Sequence, residues 1–214
     1  GVPAWGDGSS CVRVGARNLG VAYRFVSPGS RELHGAHVRI QLPPAYQRAD
    51  SERYVVTLQP DEHGGPGQDI LASSEITILP GDLPWVDVPL AGAQLIAGGA
   101  YHLVIQPVER NSHARACFLV HRRRRPTTSQ PWSALRPTPS GWKVIGTKRL
   151  WAWAEPVFLL EFVDGELWGQ PYWTVRADSL YAGHALSSEF LATGDAVLNS
   201  ISVRIRNRGN SRSV

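Results

Sequence analysis

Acidic side chains are the first residues whose type and spacing suggest chemistry. Asp61, Glu62 and Asp69 belong to the stretch DEHGGPGQD, residues 61–69, which holds three glycines and one proline. This composition predicts a loop, because it cannot sustain a hydrogen-bonded strand ladder. Ca²⁺ binds carboxylate and backbone oxygens, so the three acidic residues are candidate calcium ligands. The alternative is that they cap the turn and face water. No other cofactor is expected.

Tryptophan is concentrated late in the chain, where five of the eight lie between residues 132 and 168. Trp151 and Trp153 are two apart in a predicted strand, so they share one face. If Trp142, Trp151 and Trp153 are exposed, they form a platform on which a sugar ring stacks. If they are buried, they cover one end of the fold, which is the commoner role of tryptophan. Both interpretations remain open.

A run of basic residues, HRRRR at 121–125, contains Arg122, Arg123, Arg124 and Arg125. Such a run can bind an anionic group such as phosphate. It leads directly into PTTSQPW, whose composition is typical of a solvated loop, and a loop is the interpretation that we favour. No aromatic residue alternates with the arginines, so we expect no nucleic acid partner.

Catalytic motifs are missing from the sequence. It contains no G-x-S-x-G, H-E-x-x-H or G-x-x-x-x-G-K-[ST] pattern. His34 and His37 are three apart in a strand-like region, which places them on opposite faces and makes them a poor metal pair. Nothing pairs two carboxylates for glycoside hydrolysis. We therefore expect a protein that is not an enzyme.

Cys11 and Cys117 are the only cysteines, and each lies beside a strand-like run. Early and late strands are often neighbours in a two-sheet fold, so we predict a disulfide between them. Two buried free thiols are the alternative. A disulfide would indicate an oxidising compartment and therefore a secreted protein or one at a cell or virion surface.

Short strands separated by turns dominate the chain. The predicted strands cover residues 21–27, 36–42, 53–59, 74–80, 85–90, 98–108, 114–121 and 149–165, with an ordered excursion at 126–147. Turn signals every 8–12 residues predict an all-β sandwich or barrel. WVDVPL alternates, with Trp85, Asp87 and Pro89 on one face and the residues between them on the other. No apolar run approaches the ~20 residues of a membrane span, so membrane insertion is not expected.

The C-terminal segment repeats the beginning of the chain. At a register shift of 165, residues 23–40 fall on residues 188–205, so that Phe25 meets Phe190 and Leu33 meets Leu198. Val38-Arg39-Ile40 meets Val203-Arg204-Ile205. The sequence therefore predicts a sandwich domain at residues 1–168 and a partial second repeat of its first strands at 169–214.

Two strands alone are marginally stable in water, so the partial repeat must pack on another sheet. One alternative is its own domain. The other, which we favour, is a second copy of the chain, with Phe190, Leu198, Val203 and Ile205 as contacts. Repeated head to tail, this strand exchange would build a filament.

Residues 12–120 contain YVVTLQPDEHGGPGQDILASS, WVDVPL and LIAGGAYHLVI. This order of strand, G-x-P-G loop and two further strands resembles the jelly-roll-type accessory domains of bacterial and phage extracellular proteins. The resemblance implies a jelly-roll-like β-sandwich with an adhesive or carbohydrate-binding role, or a place in a virion surface. We predict a non-catalytic structural or recognition module that assembles through its C-terminal strands. The alternative is a carbohydrate-binding accessory module that stacks a glycan on exposed tryptophans.

Overall fold

The structure, a computed structural model, describes residues 9–15, 19–41, 51–79, 85–109, 116–124, 132–147 and 152–170. The chain divides into two units, residues 1–177 and 178–214, and all described residues lie in the first. The described residues form β-strands and turns and contain no helix. The predicted all-β class is confirmed.

One antiparallel sheet has eight strands. Its main path runs β12 (Gly146–Thr147), β13 (Ala152–Pro156), β9 (Cys117–Arg124), β3 (Arg31–Gln41), β14 (Phe158–Phe162) and β15 (Leu167–Gln170), with β1 (Ser9–Arg13) on β9 and β7 (Trp85–Leu95) on β3. The chain changes partner at Val157, because β13 pairs with β9 and β14 pairs with β3. β3 therefore lies between β7 and β14, and its outward side chains can meet those of both neighbours.

The second antiparallel sheet has seven strands. Its path runs β11 (Gly141–Val144), β10 (Ser133–Thr138), β2 (Val21–Val26), β8 (Ala100–Pro107), β4 (Glu52–Glu62) and β5 (Gly65–Pro66), with β6 (Ala72–Ile78) on β4. β4 and β5 form a hairpin whose turn residues His63 and Gly64 have φ values of 55° and 84°. Positive φ at both turn residues matches the twist of the flanking strands, which is why a glycine is useful here.

The core lies between the sheets, where alternate side chains of strands such as β14 are buried. Tyr23 and Phe25 of β2 are fully buried, as is Phe158 of β14. The ring centroids of Phe158 lie 5.6 Å from Phe25 and 6.2 Å from Tyr23. Because these rings come from opposite sheets, the sheets pack face to face as a sandwich. Truncating such a buried phenylalanine to alanine typically costs about 3–5 kcal/mol. The jelly-roll connectivity stays a prediction.

Two predicted loops differ from the structure. Residues 61–69 include the end of β4 and all of β5, because glycine permits the tight turn that joins them. The arginine run was predicted as a loop, but β9 continues through Arg124. Pairing with Ala152–Ala154 satisfies the backbone of Arg122–Arg124 and overrides the loop-like composition that follows. Arg125 lies outside the described residues.

In two other regions the structure differs from the element and domain boundaries that the sequence predicted. The described part of the excursion at 126–147 forms β10, β11 and β12. β15 covers the predicted domain boundary at residues 168–169 and pairs with β14 along its four residues. The C-terminal contacts Phe190, Leu198, Val203 and Ile205 lie outside the described residues, so strand exchange stays a prediction.

Candidate functional site

The outer surface of the eight-stranded sheet carries a polar and aromatic patch, which we name the open face. It consists of His37 and Arg39 on β3, Trp85 and Asp87 on β7, and Glu161 on β14. The registers place His37 opposite Asp87 and Arg39 opposite Trp85, while Glu161 lies opposite Gly35. The alternation of β7 buries Val88 and Leu90 on the inner side and leaves Asp87 outside, as the sequence predicted.

His37 lies between the two carboxylates of the open face. Its Nδ1 is 2.7 Å from Asp87 Oδ1, and its Nε2 is 3.2 Å from Glu161 Oε2. A carboxylate accepts, so Nδ1–H donates to Asp87. The Asp87 side chain is 84% exposed, whereas His37 is 15% exposed. The imidazole is thus fixed by its neighbours, while carboxylate oxygens remain accessible to a ligand.

Gly35 allows β3 and β7 to approach closely beside His37. A Cβ atom at this position would lie 2.9 Å from the carbonyl oxygen of Val88. The register of β3 with β7 also shifts between Leu33 and Gly35, where the strand is irregular. A larger residue at position 35 would therefore displace β7, which carries Asp87.

Arg39 and Trp85 form the aromatic end of the open face. The guanidinium carbon lies 5.4 Å from the centroid of the Trp85 ring, a cation–π distance. Burial lowers the pKa of Arg39 to about 10, so the side chain is still protonated at neutral pH. Both side chains are partly exposed and lie next to Asp87.

The outer surface of the seven-stranded sheet carries a second polar cluster, which we name the covered face. It consists of Arg24 on β2, His102 on β8, Asp61 on β4, Gly65 on β5 and Trp142 on β11. Asp61 Oδ1 is 2.8 Å from both Arg24 Nε and His102 Nε2, and Oδ2 accepts from the Gly64 amide at 3.1 Å. The carboxylate therefore links the β4–β5 hairpin to β2 and β8.

The covered-face charges are perturbed by their surroundings. Burial alone would raise the pKa of Asp61, but hydrogen bonds from Arg24, His102 and Gly64 outweigh it and lower the pKa below its usual value. Burial lowers the pKa of His102, and the attraction of Asp61 does not compensate. The His102 side chain is fully buried, and its Nδ1 has no hydrogen-bond partner within the described part of the chain.

Trp142 is partly buried on the covered face. It packs against Ala22, Val104 and Leu135, a small apolar cluster separate from the main core. A Cβ atom at Gly65 would lie 3.5 Å from the Trp142 Cβ, so the hairpin contacts this side chain closely. The packing alternative therefore describes Trp142, and its role in glycan binding stays a prediction. Trp151 and the side chain of Trp153 lie outside the described residues.

The calcium prediction has no support from the described geometry. Asp61 is occupied by protein donors, Glu62 Oε1 lies 3.4 Å from the Gln68 amide, and Asp69 is exposed. In the described ranges, no group of three or more His, Cys, Asp or Glu side chains could hold a metal ion.

The cysteines lie on paired strands. β1 and β9 place Cys11 opposite Leu119 and Arg13 opposite Cys117, so the two cysteines occupy diagonal positions on one face. Cys117 is buried. The side chain of Cys11 lies outside the described residues, so its bond to Cys117 stays a prediction.

Sequence reasoning combined the site residues differently. It treated Asp61 and Trp142 as parts of two separate sites, and the structure brings them to one face. It did not select His37, Asp87 or Glu161, although the alternation of WVDVPL already placed Trp85 and Asp87 on a common face.

The described residues contain no helix that could cross a membrane. Comparison of the chain with protein-family models, curated proteins and solved structures gives no significant match.

Proposed function

We propose that this chain is a non-catalytic β-sandwich recognition module whose open face binds a glycan. The observation that supports this proposal is the bridge of His37 between Asp87 and Glu161, next to the Arg39–Trp85 stack. These side chains come from three adjacent strands. Strands hold side chains more rigidly than loops do, so a ligand would meet groups that are already in place.

Glycan recognition requires hydrogen-bonding groups at fixed positions beside an apolar surface. The exposed carboxylate of Asp87 and the partly exposed carboxylate of Glu161 can accept hydrogen bonds from sugar hydroxyls, and such charge-assisted bonds are stronger than neutral ones. The Trp85 ring supplies apolar surface for the carbon face of a sugar. A few placed polar groups next to an aromatic side chain are typical of ligand-binding sites.

The test is a glycan array, followed by calorimetry with the glycan that binds best. We expect Asp87→Ala and Trp85→Ala each to weaken binding about tenfold, the loss of one charge-assisted hydrogen bond or one stacking contact. Glu75→Ala is the matched control, because Glu75 is also an exposed carboxylate in an ion pair, 3.0 Å from Arg53 on the other sheet. Wild-type affinity in both open-face variants would overturn the proposal.

We propose an extracellular, cell-surface or virion-surface location, supported by the diagonal positions of Cys11 and Cys117 on the paired strands β1 and β9, which suit a disulfide. Closing a loop of about 105 residues between Cys11 and Cys117 should contribute about 4 kcal/mol in the chain-entropy account. We expect no free thiol when the unreduced protein is unfolded and titrated. Two titratable thiols would exclude the bond and remove the argument for an oxidising compartment.

The assembly part of the prediction concerns residues 169–214. If these strands insert into a second copy, deletion of residues 175–214 should leave a folded monomer, while the full chain sediments as larger, concentration-dependent species. Glu75→Ala in the full chain controls for a general effect of altered surface charge. Identical sedimentation of the truncated and full-length proteins would show that this segment does not drive assembly.

A further inference from the structure

Two donors of the covered face converge on a single carboxylate oxygen. Arg24 and His102 are directly opposite each other on β2 and β8, and each places a nitrogen 2.8 Å from Asp61 Oδ1. The acceptor comes from a different place, the beginning of the β4–β5 hairpin. The donors are thus held in the β2–β8 ladder, while the carboxylate between them belongs to the end of β4, one residue beyond the pairing of Pro60 with Tyr101.

The buried imidazole supports the view that this is a carboxylate site. Donation from Nε2–H to Asp61 makes Nδ1 of the neutral ring an acceptor, and this atom is buried without a partner in the described residues. A buried polar atom without a partner is unfavourable and needs an explanation. The Nε2 contact with Asp61 is thus the hydrogen bond that this buried ring makes within the described residues.

The hairpin that supplies Asp61 is small. Its ladder consists of the pairs Asp61–Pro66 and Glu62–Gly65, and Glu62, His63 and Gly64 are exposed. His63 has a φ of 55°, a conformation that residues other than glycine adopt at some cost. The amide of Gly67 also holds the hairpin by donating to the Pro60 carbonyl at 2.7 Å, so the contacts of Asp61 are one of the attachments of this hairpin to the sheet.

We infer that Arg24 and His102 form a carboxylate-binding site, that Asp61 fills it as a built-in occupant, and that a small carboxylate-bearing ligand replaces Asp61 when the hairpin turns outward. The ring of Trp142 lies beside the hairpin and would contact the apolar part of that ligand. A sugar acid has this combination of a carboxylate and an apolar face. This site is on the opposite sheet from the open face and does not depend on the proposed function.

The experiment removes the built-in carboxylate and supplies a free one. In Asp61→Ala, sodium acetate should raise the thermal midpoint, whereas sodium chloride at the same ionic strength should not. At ten times its dissociation constant, acetate multiplies the ratio of folded to unfolded protein about elevenfold. The wild-type protein should respond much less, because Asp61 competes with acetate for the site, and Asp61→Ala combined with Arg24→Gln should lose the response. Equal responses to acetate and chloride, or an unchanged response in the double variant, would overturn the inference.

A second measurement covers the case in which Asp61→Ala does not fold. Asp61→Asn keeps the shape of the side chain but removes its charge, so the hairpin should open more often. We expect hydrogen exchange at the amides of Gly64 and Gly65 to accelerate about tenfold relative to the wild type. Glu75→Gln controls for the loss of one negative charge elsewhere. Unchanged exchange in Asp61→Asn would show that Asp61 does not hold the hairpin, which contradicts the inference.

Discussion

The two outer faces of the sandwich contain the same chemical pair in opposite surroundings. Asp61 lies 2.8 Å from a nitrogen of His102 on the covered face, and Asp87 lies 2.7 Å from a nitrogen of His37 on the open face. The Asp61 side chain is 17% exposed and accepts three hydrogen bonds, whereas Asp87 is 84% exposed. A distance alone therefore does not assign a role, since burial decides whether the pair stabilises the fold or remains accessible to a ligand.

The largest difference between the faces should appear in the free energy of unfolding. Asp61→Ala leaves Arg24 and the buried His102 without their acceptor, and we expect a loss of about 2–3 kcal/mol. Asp87→Ala removes an exposed partner and should change stability by less than about 0.5 kcal/mol. Urea unfolding at neutral pH measures both. Equal losses would mean that the two pairs are energetically equivalent and that the distinction by burial is wrong.

Truncation of one tryptophan on each face gives a second comparison of their contributions to stability. Trp142→Ala removes packing against Ala22, Val104 and Leu135 and should destabilise the protein by about 2 kcal/mol, because the ring is only partly buried. Trp85→Ala should cost about 1 kcal/mol, the scale of a lost cation–π contact with Arg39. Thermal unfolding of both variants checks the order. A larger loss for Trp85→Ala would reverse our assignment of the two rings.

The covered face should also determine part of the acid sensitivity of the fold. Burial lowers the pKa of His102, so the unfolded chain binds this proton more readily than the folded protein does. The stability from neutral His102 is complete above the ordinary histidine pKa of about 6.5 and is lost as pH falls below it. Asp61, whose pKa is also lowered, adds a further loss in the acidic range of carboxylates. Urea unfolding as a function of pH measures the first effect.

His102→Gln keeps a side-chain donor for Asp61 but cannot titrate. We expect the free energy of unfolding of this variant to change much less between pH 7 and pH 5 than that of the wild type, whatever its value at pH 7. His37→Gln, on the open face, is the matched control and should retain the decline. If His102→Gln follows the wild-type profile, His102 is not the group that loses stability in this range.

The smallest effect concerns the hairpin turn. His63→Gly relieves the positive φ of a residue with a Cβ atom and should stabilise the hairpin by about 0.5 kcal/mol, after the entropy cost of glycine. The amides of Gly64 and Gly65 should then exchange more slowly, while glycan binding at the open face stays the same. Faster exchange in this variant would indicate that the His63 side chain itself supports the turn.

Local patterns in the sequence predicted the strands, and long-range pairing determined the sites. Alternation within WVDVPL is a local property, so the common face of Trp85 and Asp87 could be predicted. His37 and Asp87 are 50 residues apart, and their contact depends on the β3–β7 register, which the sequence does not display. Asp61 and Trp142 share a face for a similar reason, because the β4–β5 hairpin packs against Trp142 at Gly65. The strand that contains the arginines was not predicted, because its pairing partner β13 is distant in the sequence and local composition does not reveal it.

The most direct test compares glycan binding by Asp87→Ala and Asp61→Ala under conditions in which both variants are folded. The glycan is the strongest ligand from the array, and calorimetry measures the dissociation constants. We predict that Asp87→Ala binds about tenfold more weakly than the wild type, while Asp61→Ala keeps wild-type affinity. Loss of binding in Asp61→Ala with full affinity in Asp87→Ala would place recognition on the covered face and contradict the assignment of the open face.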